Sequence, residues 1–197
     1  RGVAIGDLDG DRVPDALAAN LFGPSQVWLN INDGMGTFVE GAELASGSDV
    51  ELGDLDGDGD LDAVFAASTD NVWLNDGTGA FVSTGQAFGA NSVRDVSLGD
   101  FDHDGDLDVF EAVYRLAGKR GNQTFHNRVW LNHGDGTFAD SGLRLGNDWS
   151  QNVALGDIDG DNDLDAFVTN HIDSAGRRDY HPAKVYLNQG SDQSDQW

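Results

Sequence analysis

The stretch GDLDGDGDLDAVF, residues 53–65, places five aspartates at alternate positions directly before an apolar run. Carboxylates this close repel one another, so such a cluster needs something that offsets its charge. Related stretches begin at Gly6, Gly99 and Gly156. The first aspartates of the four stretches, Asp7, Asp54, Asp100 and Asp157, are 47, 46 and 57 residues apart. A recurrence at this period is typical of a repeat architecture.

Composition restricts the class of protein. The 197-residue chain has 39% hydrophobic residues and a formal net charge of −24, and 19 of its 35 acidic residues lie inside the four stretches. The charge is therefore local and periodic. It argues against nucleic acid as a partner, because phosphates would be repelled. The chain has no cysteine, which excludes disulfides and thiolate metal sites, and no apolar run of membrane-spanning length, so no membrane insertion is expected.

Each repeat contains the same series of short apolar runs, separated by Gly, Asn and Asp. First strands are predicted at 3–5, 50–52, 96–98 and 153–155, and second strands at 16–19, 63–67, 109–113 and 166–169. Third strands are predicted at 27–30, 72–75, 129–132 and 185–188, and fourth strands begin at Phe38, Phe81 and Phe138. Runs of this length and composition favour strands and hairpins, and no segment shows a 3.6-residue period.

Four-stranded antiparallel units repeating at this length predict an all-β fold, a β-propeller with four visible blades. We expect one propeller domain, with repeats of approximately 1–45, 46–90, 91–147 and 148–197. The last repeat shows no clear fourth strand. Trp28, Trp73, Trp130 and Tyr186 recur at one third-strand position, where they could stack on sugars. Their apolar neighbours favour a place in the core between blades instead.

The aspartate stretches predict metal loops. Counted from the first aspartate, positions 1, 3, 5 and 9 are aspartate in all four loops, whereas position 7 varies, so we expect a backbone carbonyl ligand at position 7. Clustered hard oxygen ligands in a flexible loop suit Ca²⁺, and about four ions are expected. The predicted ligand positions are Asp7, Asp9, Asp11, Val13 and Asp15; Asp54, Asp56, Asp58, Asp60 and Asp62; Asp100, Asp102, Asp104, Asp106 and Asp108; and Asp157, Asp159, Asp161, Asp163 and Asp165.

Two other interpretations of the loops are weaker. An EF-hand needs a glutamate at position 12 and flanking helices. Position 12 is Ala18, Phe65, Glu111 or Val168, and strands flank the loops. A solvated acidic turn without metal does not explain sixteen aspartates at fixed spacing. Gly or Asn at position 6 eases a left-handed turn, and Arg12 departs from that pattern, which predicts a looser first site.

The phrases VALGDIDGDNDLDAFV, NRVWLNHGDGTFADSGLRLG and NVWLNDGTGAF resemble the FG-GAP/VCBS repeat, the blade unit of integrin alpha-chain propellers and many bacterial surface proteins. The resemblance implies a propeller that binds Ca²⁺ through positions 1, 3, 5 and 9 and a position 7 carbonyl. Similar proteins serve as adhesion modules, as lectins and as domains of polysaccharide-degrading enzymes. They commonly have seven or eight blades. The four repeats here could therefore close a ring alone, form half of an eight-bladed ring as a homo-oligomer, or belong to a longer array.

The repeats differ most in the connection between strands two and three. Repeats 3 and 4 carry insertions there, at 114–127 and 171–183, which hold many of the basic residues. Antiparallel topology puts these insertions on the face opposite the aspartate loops. Trp149, in the connection into repeat 4, belongs to that face. The predicted ligand-binding residues are Lys119, Arg120, Arg177 and Arg178 for carboxylate or sulfate, and Trp149 and Tyr180 for stacking. The alternative is a pair of solvated loops with locally balanced charges.

We therefore predict an extracellular or cell-surface, calcium-stabilised binding or adhesion module, lectin-like in the sense that its ligand is a glycan or a protein. We do not expect an enzyme. The alternative of a polysaccharide lyase or hydrolase would use His171, Tyr180 or His181 for acid–base chemistry, but no nucleophile or metalloprotease motif is present. A purely structural repeat or assembly unit of a surface protein is the third hypothesis.

Overall fold

The computed structural model describes residues 2–69, 71–89, 92–114, 126–171 and 182–190. These residues form fifteen strands and no helix. The predicted all-β fold is confirmed. Within the described ranges there is accordingly no helix of the length and apolarity that a membrane span requires.

The strands form four antiparallel sheets, one per repeat. Sheet 1 contains β1 (Val3–Gly6), β2 (Asp15–Ala18), β3 (Ser25–Asn30) and β4 (Phe38–Leu44). Sheet 2 contains β5 (Val50–Gly53), β6 (Asp62–Phe65), β7 (Val72–Asn75) and β8 (Phe81–Ser83). Sheet 3 contains β9 (Val93–Gly99), β10 (Asp108–Val113), β11 (Arg128–Asn132) and β12 (Phe138–Asp140). Sheet 4 contains β13 (Ser150–Gly156), β14 (Asp165–Asn170) and β15 (Lys184–Tyr186).

The first hairpin has the same register in every sheet. In sheet 2 it is closed by the pair Gly53 and Asp62, and the other three sheets have the equivalent Gly–Asp pair. In sheets 2, 3 and 4, β-branched and aromatic residues after the loop favour the second strand, whereas in sheet 1 that strand is formed by alanine and leucine. The second strand is the most buried strand of each sheet. The aspartate loops therefore lie at one end of the array. The connections between second and third strands lie at the opposite end.

The sheets pack as consecutive blades. Strand β5 packs between β1 and β9, and β13 packs against β9. Apolar clusters fill the space between each pair of neighbouring sheets. Trp130 stacks on Phe88 of the preceding sheet with ring centroids 4.8 Å apart. Trp73 and Tyr186 pack against the other two clusters, which agrees with the core interpretation of these two residues and Trp130. Trp28 is half-buried and belongs to none of the three clusters.

Candidate functional site

Each aspartate loop brings three carboxylates together. One oxygen from each of the three lies within 4.8 Å of the other two, in all four loops. The sets are Asp7, Asp9 and Asp15 in loop 1; Asp54, Asp56 and Asp58 in loop 2; Asp100, Asp102 and Asp108 in loop 3; and Asp157, Asp159 and Asp165 in loop 4. Oxygens that share a Ca²⁺ at roughly 2.3–2.6 Å must lie within about 5 Å of one another. The spacing and the all-oxygen donor set therefore fit calcium.

The position 9 aspartate is fully buried and holds the loop to the rest of its sheet. In loop 2, the backbone amide of Leu55 donates to Asp62 Oδ2 at 2.9 Å, and the backbone amide of Asn75 donates to Asp62 Oδ1 at 2.8 Å. The same two bonds recur at Asp15, Asp108 and Asp165. Desolvation raises the pKa of Asp62 to about 6, although the two amides oppose this shift. Sequence reasoning named this residue as a ligand and missed its role in joining the first hairpin to the third strand.

The remaining carboxylates fold back onto the loop. In loop 2, Asp54 accepts hydrogen bonds from the amides of Gly57 at 2.8 Å and Gly59 at 3.1 Å. Asp58 Oδ1 accepts the Asp60 amide at 2.9 Å. Loss of water, together with the neighbouring negative charges, raises the pKa of Asp56, and the position 3 aspartates of the other loops shift in the same direction. A divalent cation would relieve this repulsion.

The position 5 residues of loops 1, 3 and 4, all of them described, lie outside the three-carboxylate sets. Asp11, Asp104 and Asp161 each accept the amide two residues later, at 2.8 to 3.0 Å. At position 7, the side chains of Asp60 and Asp106 lie against Gly77 and Gly134 of the turn between the third and fourth strands. A carboxylate directed at that turn is compatible with a carbonyl ligand at position 7.

Two positions in every loop have left-handed backbone. Position 6 does so at Gly59 (φ 94°) and also at Arg12 (φ 69°), so the first loop keeps the common geometry despite a side chain that disfavours it. Position 4 is left-handed as well, including at His103 (φ 62°). The sequence analysis overlooked position 4, although glycine occupies it in the other three loops.

The opposite end of the array contains a cleft of about 420 Å³. It is lined by connections of the first three sheets, among them Phe22, Ser46, Ser68, Ser92 and Arg94. This is within the usual size range of small-ligand sites. The Nε of Arg94 is buried and donates to no acceptor among the described residues.

An aromatic cluster extends from Arg94 toward sheet 4. The Arg94 guanidinium lies 4.5 Å from the Tyr114 ring centroid. Trp149 stacks on His171 with centroids 5.9 Å apart, and Tyr114 meets both rings edge-on. The predicted stacking residue Trp149 is thus half-buried, with one ring face against His171. The structure adds Arg94 and Tyr114 to this face, and no local pattern in the sequence singled them out.

Several predicted ligand-face residues lie outside the described residues: Lys119, Arg120, Arg177, Arg178 and Tyr180. The acid–base candidate His181 does too. His171 is described, and its ring belongs to the aromatic cluster.

Comparison with known families agrees with the repeat pattern. A family model described as FG-GAP-like repeat matches residues 7–65, 54–111 and 115–168. The first two matches run from one aspartate loop through the second strand of the following sheet, so the matched unit includes the contact between neighbouring blades. No curated protein matches the chain.

Proposed function

The chain belongs to the FG-GAP-like repeat family, and on that premise we propose that it is an extracellular, calcium-stabilised β-propeller module that binds a glycan or protein ligand. The observation that carries the calcium proposal is the convergence of three carboxylate oxygens within 4.8 Å in all four loops. The aspartates at positions 1, 3, 5 and 9 and the position 7 carbonyl would hold each ion. Bound calcium would neutralise carboxylates that otherwise repel one another.

Charge supports an environment rich in calcium. Four divalent ions would change the formal net charge from −24 to about −16. Outside cells, millimolar calcium keeps sites of moderate affinity filled. We propose an extracellular or cell-surface location because calcium is abundant there and because the family usually serves in adhesion.

Calcium titration tests the first half of the proposal. We expect about four ions per chain by isothermal titration calorimetry, and a lower melting temperature in EDTA, because ions that bind only the folded state stabilise it. Asp58→Ala should weaken the site in its own blade. A melting curve that EDTA leaves unchanged would contradict the calcium assignment.

The cleft and the aromatic cluster support a ligand site on the face opposite the loops. The buried Nε–H of Arg94 lacks an acceptor among the described residues, and a ligand carboxylate or sulfate would supply one. The sequence predicts that the two insertions, which hold many of the basic residues, lie on the same face. We therefore favour an acidic group on the ligand, carried by a glycan or by a protein partner.

A glycan-array screen in calcium tests the second half. Binding is expected to concentrate on carboxylated or sulfated glycans and to fall strongly in Arg94→Gln. Arg144→Gln is the matched control, because Arg144 already donates to both oxygens of Asp140 at 2.8 and 2.6 Å. If binding survived the Arg94→Gln substitution, or survived deletion of both insertions, the ligand site would lie outside this face. Absence of glycan binding by a folded sample would favour a protein ligand.

A further inference from the structure

The three contacts between neighbouring blades repeat one arrangement of residues. We define the rear face of a sheet by three residues: the one at loop position 2, the one at position 11, and the first valine of the third strand. In sheet 1 these are Leu8, Leu17 and Val27, which pack against sheet 2. The front face of a sheet carries the valine four residues before the loop, such as Val50, which packs against the preceding sheet.

Among the described residues, none covers the rear face of sheet 4. Ile158 at position 2 is 49% exposed, whereas its equivalents in the other sheets are 5% exposed or less. Phe167 at position 11 is 43% exposed and Val185 is 45% exposed, and their equivalents are all at 0%. Gly156 gives a second sign. A Cβ added at Gly53 or Gly99 would meet leucines of the next sheet, but one at Gly156 would meet no described residue within 4 Å.

The front face of sheet 1 is the missing half of the same contact. Val3 is 64% exposed, whereas its equivalents Val50 and Val96 are at 3% and 1% and Val153 is half-buried against the preceding sheet. Ile5 is 70% exposed, although its equivalent Leu52 packs into the contact between sheets 1 and 2. Large apolar side chains this exposed on a sheet face mark an interaction surface.

A hydrogen bond across each blade contact defines which halves fit together. The asparagine at or just after the end of the third strand donates its side-chain Nδ2 to the position 2 carbonyl of the preceding blade. Asn75 donates to Leu8 and Asn132 to Leu55, both at 2.9 Å. Asn188 repeats the bond to Phe101 at 3.1 Å. In sheet 1, the equivalent Nδ2 of Asn30 donates to the carbonyl of its own loop's Pro14, at 3.4 Å, and to no carbonyl of another blade among the described residues.

We propose that the rear face of sheet 4 binds the front face of sheet 1 in a second copy of this chain, and that two copies close a ring of eight blades. Asn30 of one copy would donate to the Ile158 carbonyl of the other. The first strands of neighbouring sheets pack against one another, but among the described strands β1 of sheet 1 and β13 of sheet 4 do not, so one chain does not close the ring. Two chains of four blades reach eight, which is within the range of propellers. The contact is heterologous, and two such contacts close a two-fold ring.

Sedimentation velocity of the 197-residue chain in calcium tests this proposal separately from ligand binding. The expected mass is twice the 21.0 kDa of one chain. Ile158→Asp and Ile5→Asp each block one of the two faces, so each variant alone should sediment as a monomer. Both sites are already exposed within one chain, so the fold should survive, as circular dichroism would verify. Val82→Asp is the matched control, because Val82 is an exposed strand residue of sheet 2 that belongs to neither end face.

Mixing the two variants identifies the heterologous contact. Ile158→Asp retains an intact front face and Ile5→Asp an intact rear face, so an equimolar mixture should form a dimer with a single contact. A front-to-front or rear-to-rear dimer would instead persist in one of the variants alone. A wild-type chain that stays monomeric, a dimer that survives both substitutions, or a wild-type mass above two chains would overturn the eight-bladed ring.

Discussion

The charge state of Glu111 should set how stability depends on pH. Glu111 lies in β10 and is fully buried. Its Oε2 accepts the Trp130 indole N–H at 2.9 Å, while its Oε1 accepts no hydrogen bond from the described residues. Burial raises the pKa of Glu111 from 4.5 to about 7, although the Trp130 bond and the charge of Arg128 oppose the shift.

The sign and size follow from proton linkage. The folded state holds a proton that the unfolded state releases, so the stabilisation is fully present below pH 4.5 and is lost as pH rises through about 7. At 1.36 kcal/mol per pKa unit, this change is about 2–3 kcal/mol between roughly pH 5 and pH 8. Glu111→Gln keeps an acceptor for Trp130 and stays neutral. The variant should therefore gain about 2–3 kcal/mol relative to wild type over that interval.

Urea unfolding of wild type and variant, at matched pH and in saturating calcium, measures this difference directly. Comparing the two proteins at each pH cancels the titration of the loop aspartates, which both share. Glu43→Gln is the control, since it makes the same chemical change at a glutamate that is exposed on β4. If the difference in unfolding free energy between Glu111→Gln and wild type did not change with pH, the conclusion that Glu111 holds a proton in the folded state would be refuted.

Three further substitutions test the loops and the blade contacts. Arg12→Gly should stabilise the fold by about 1 kcal/mol in thermal melts and tighten calcium at loop 1, because it removes a Cβ from left-handed backbone; Arg12→Ala, which removes the guanidinium but keeps the Cβ, should not give the same gain. In EDTA, Asp62→Asn should destabilise by about 1–3 kcal/mol, because its oxygen can accept one of the two buried backbone amides while its NH2 group leaves the other without an acceptor, whereas Asp58→Asn should not; in calcium titrations both should weaken loop 2. Gly53→Ala should destabilise by about 1–3 kcal/mol in urea unfolding through overpacking against the next sheet, whereas Gly156→Ala should leave the unfolding of the monomer unchanged.

The strands and the loops could be predicted because their signals are local. Short apolar runs bounded by Gly and Asp predicted the first, second and third strands of each sheet to within a few residues. The fourth strands begin at the predicted phenylalanines. Sixteen aspartates at fixed spacing identified the carboxylate sets. The pairing of Arg94 with Tyr114 could not be predicted, because no repeated pattern marks either residue: Arg94 lies near the start of β9, and Tyr114 directly follows β10, the strand that pairs with β9. The exposure of the two end faces could not be predicted either, because Ile158 has the same sequence pattern around it as its buried equivalents in the other sheets.

The position 9 aspartate explains why one sequence pattern encodes both the loops and the blade contacts. Asp108 accepts the amide of Phe101 with one oxygen and that of Asn132 with the other. The same Asn132 donates its side chain back to Leu55 of the preceding blade, while the Phe101 carbonyl accepts Asn188 of the following one. Backbone and side-chain hydrogen bonds thus connect the loops from blade to blade. These hydrogen bonds start from loops in which the carboxylates lie close together. A cation bound in one loop would therefore also stabilise that loop's contacts with the preceding and the following blade. Calcium should therefore strengthen the stacking of blades as well as the individual hairpins.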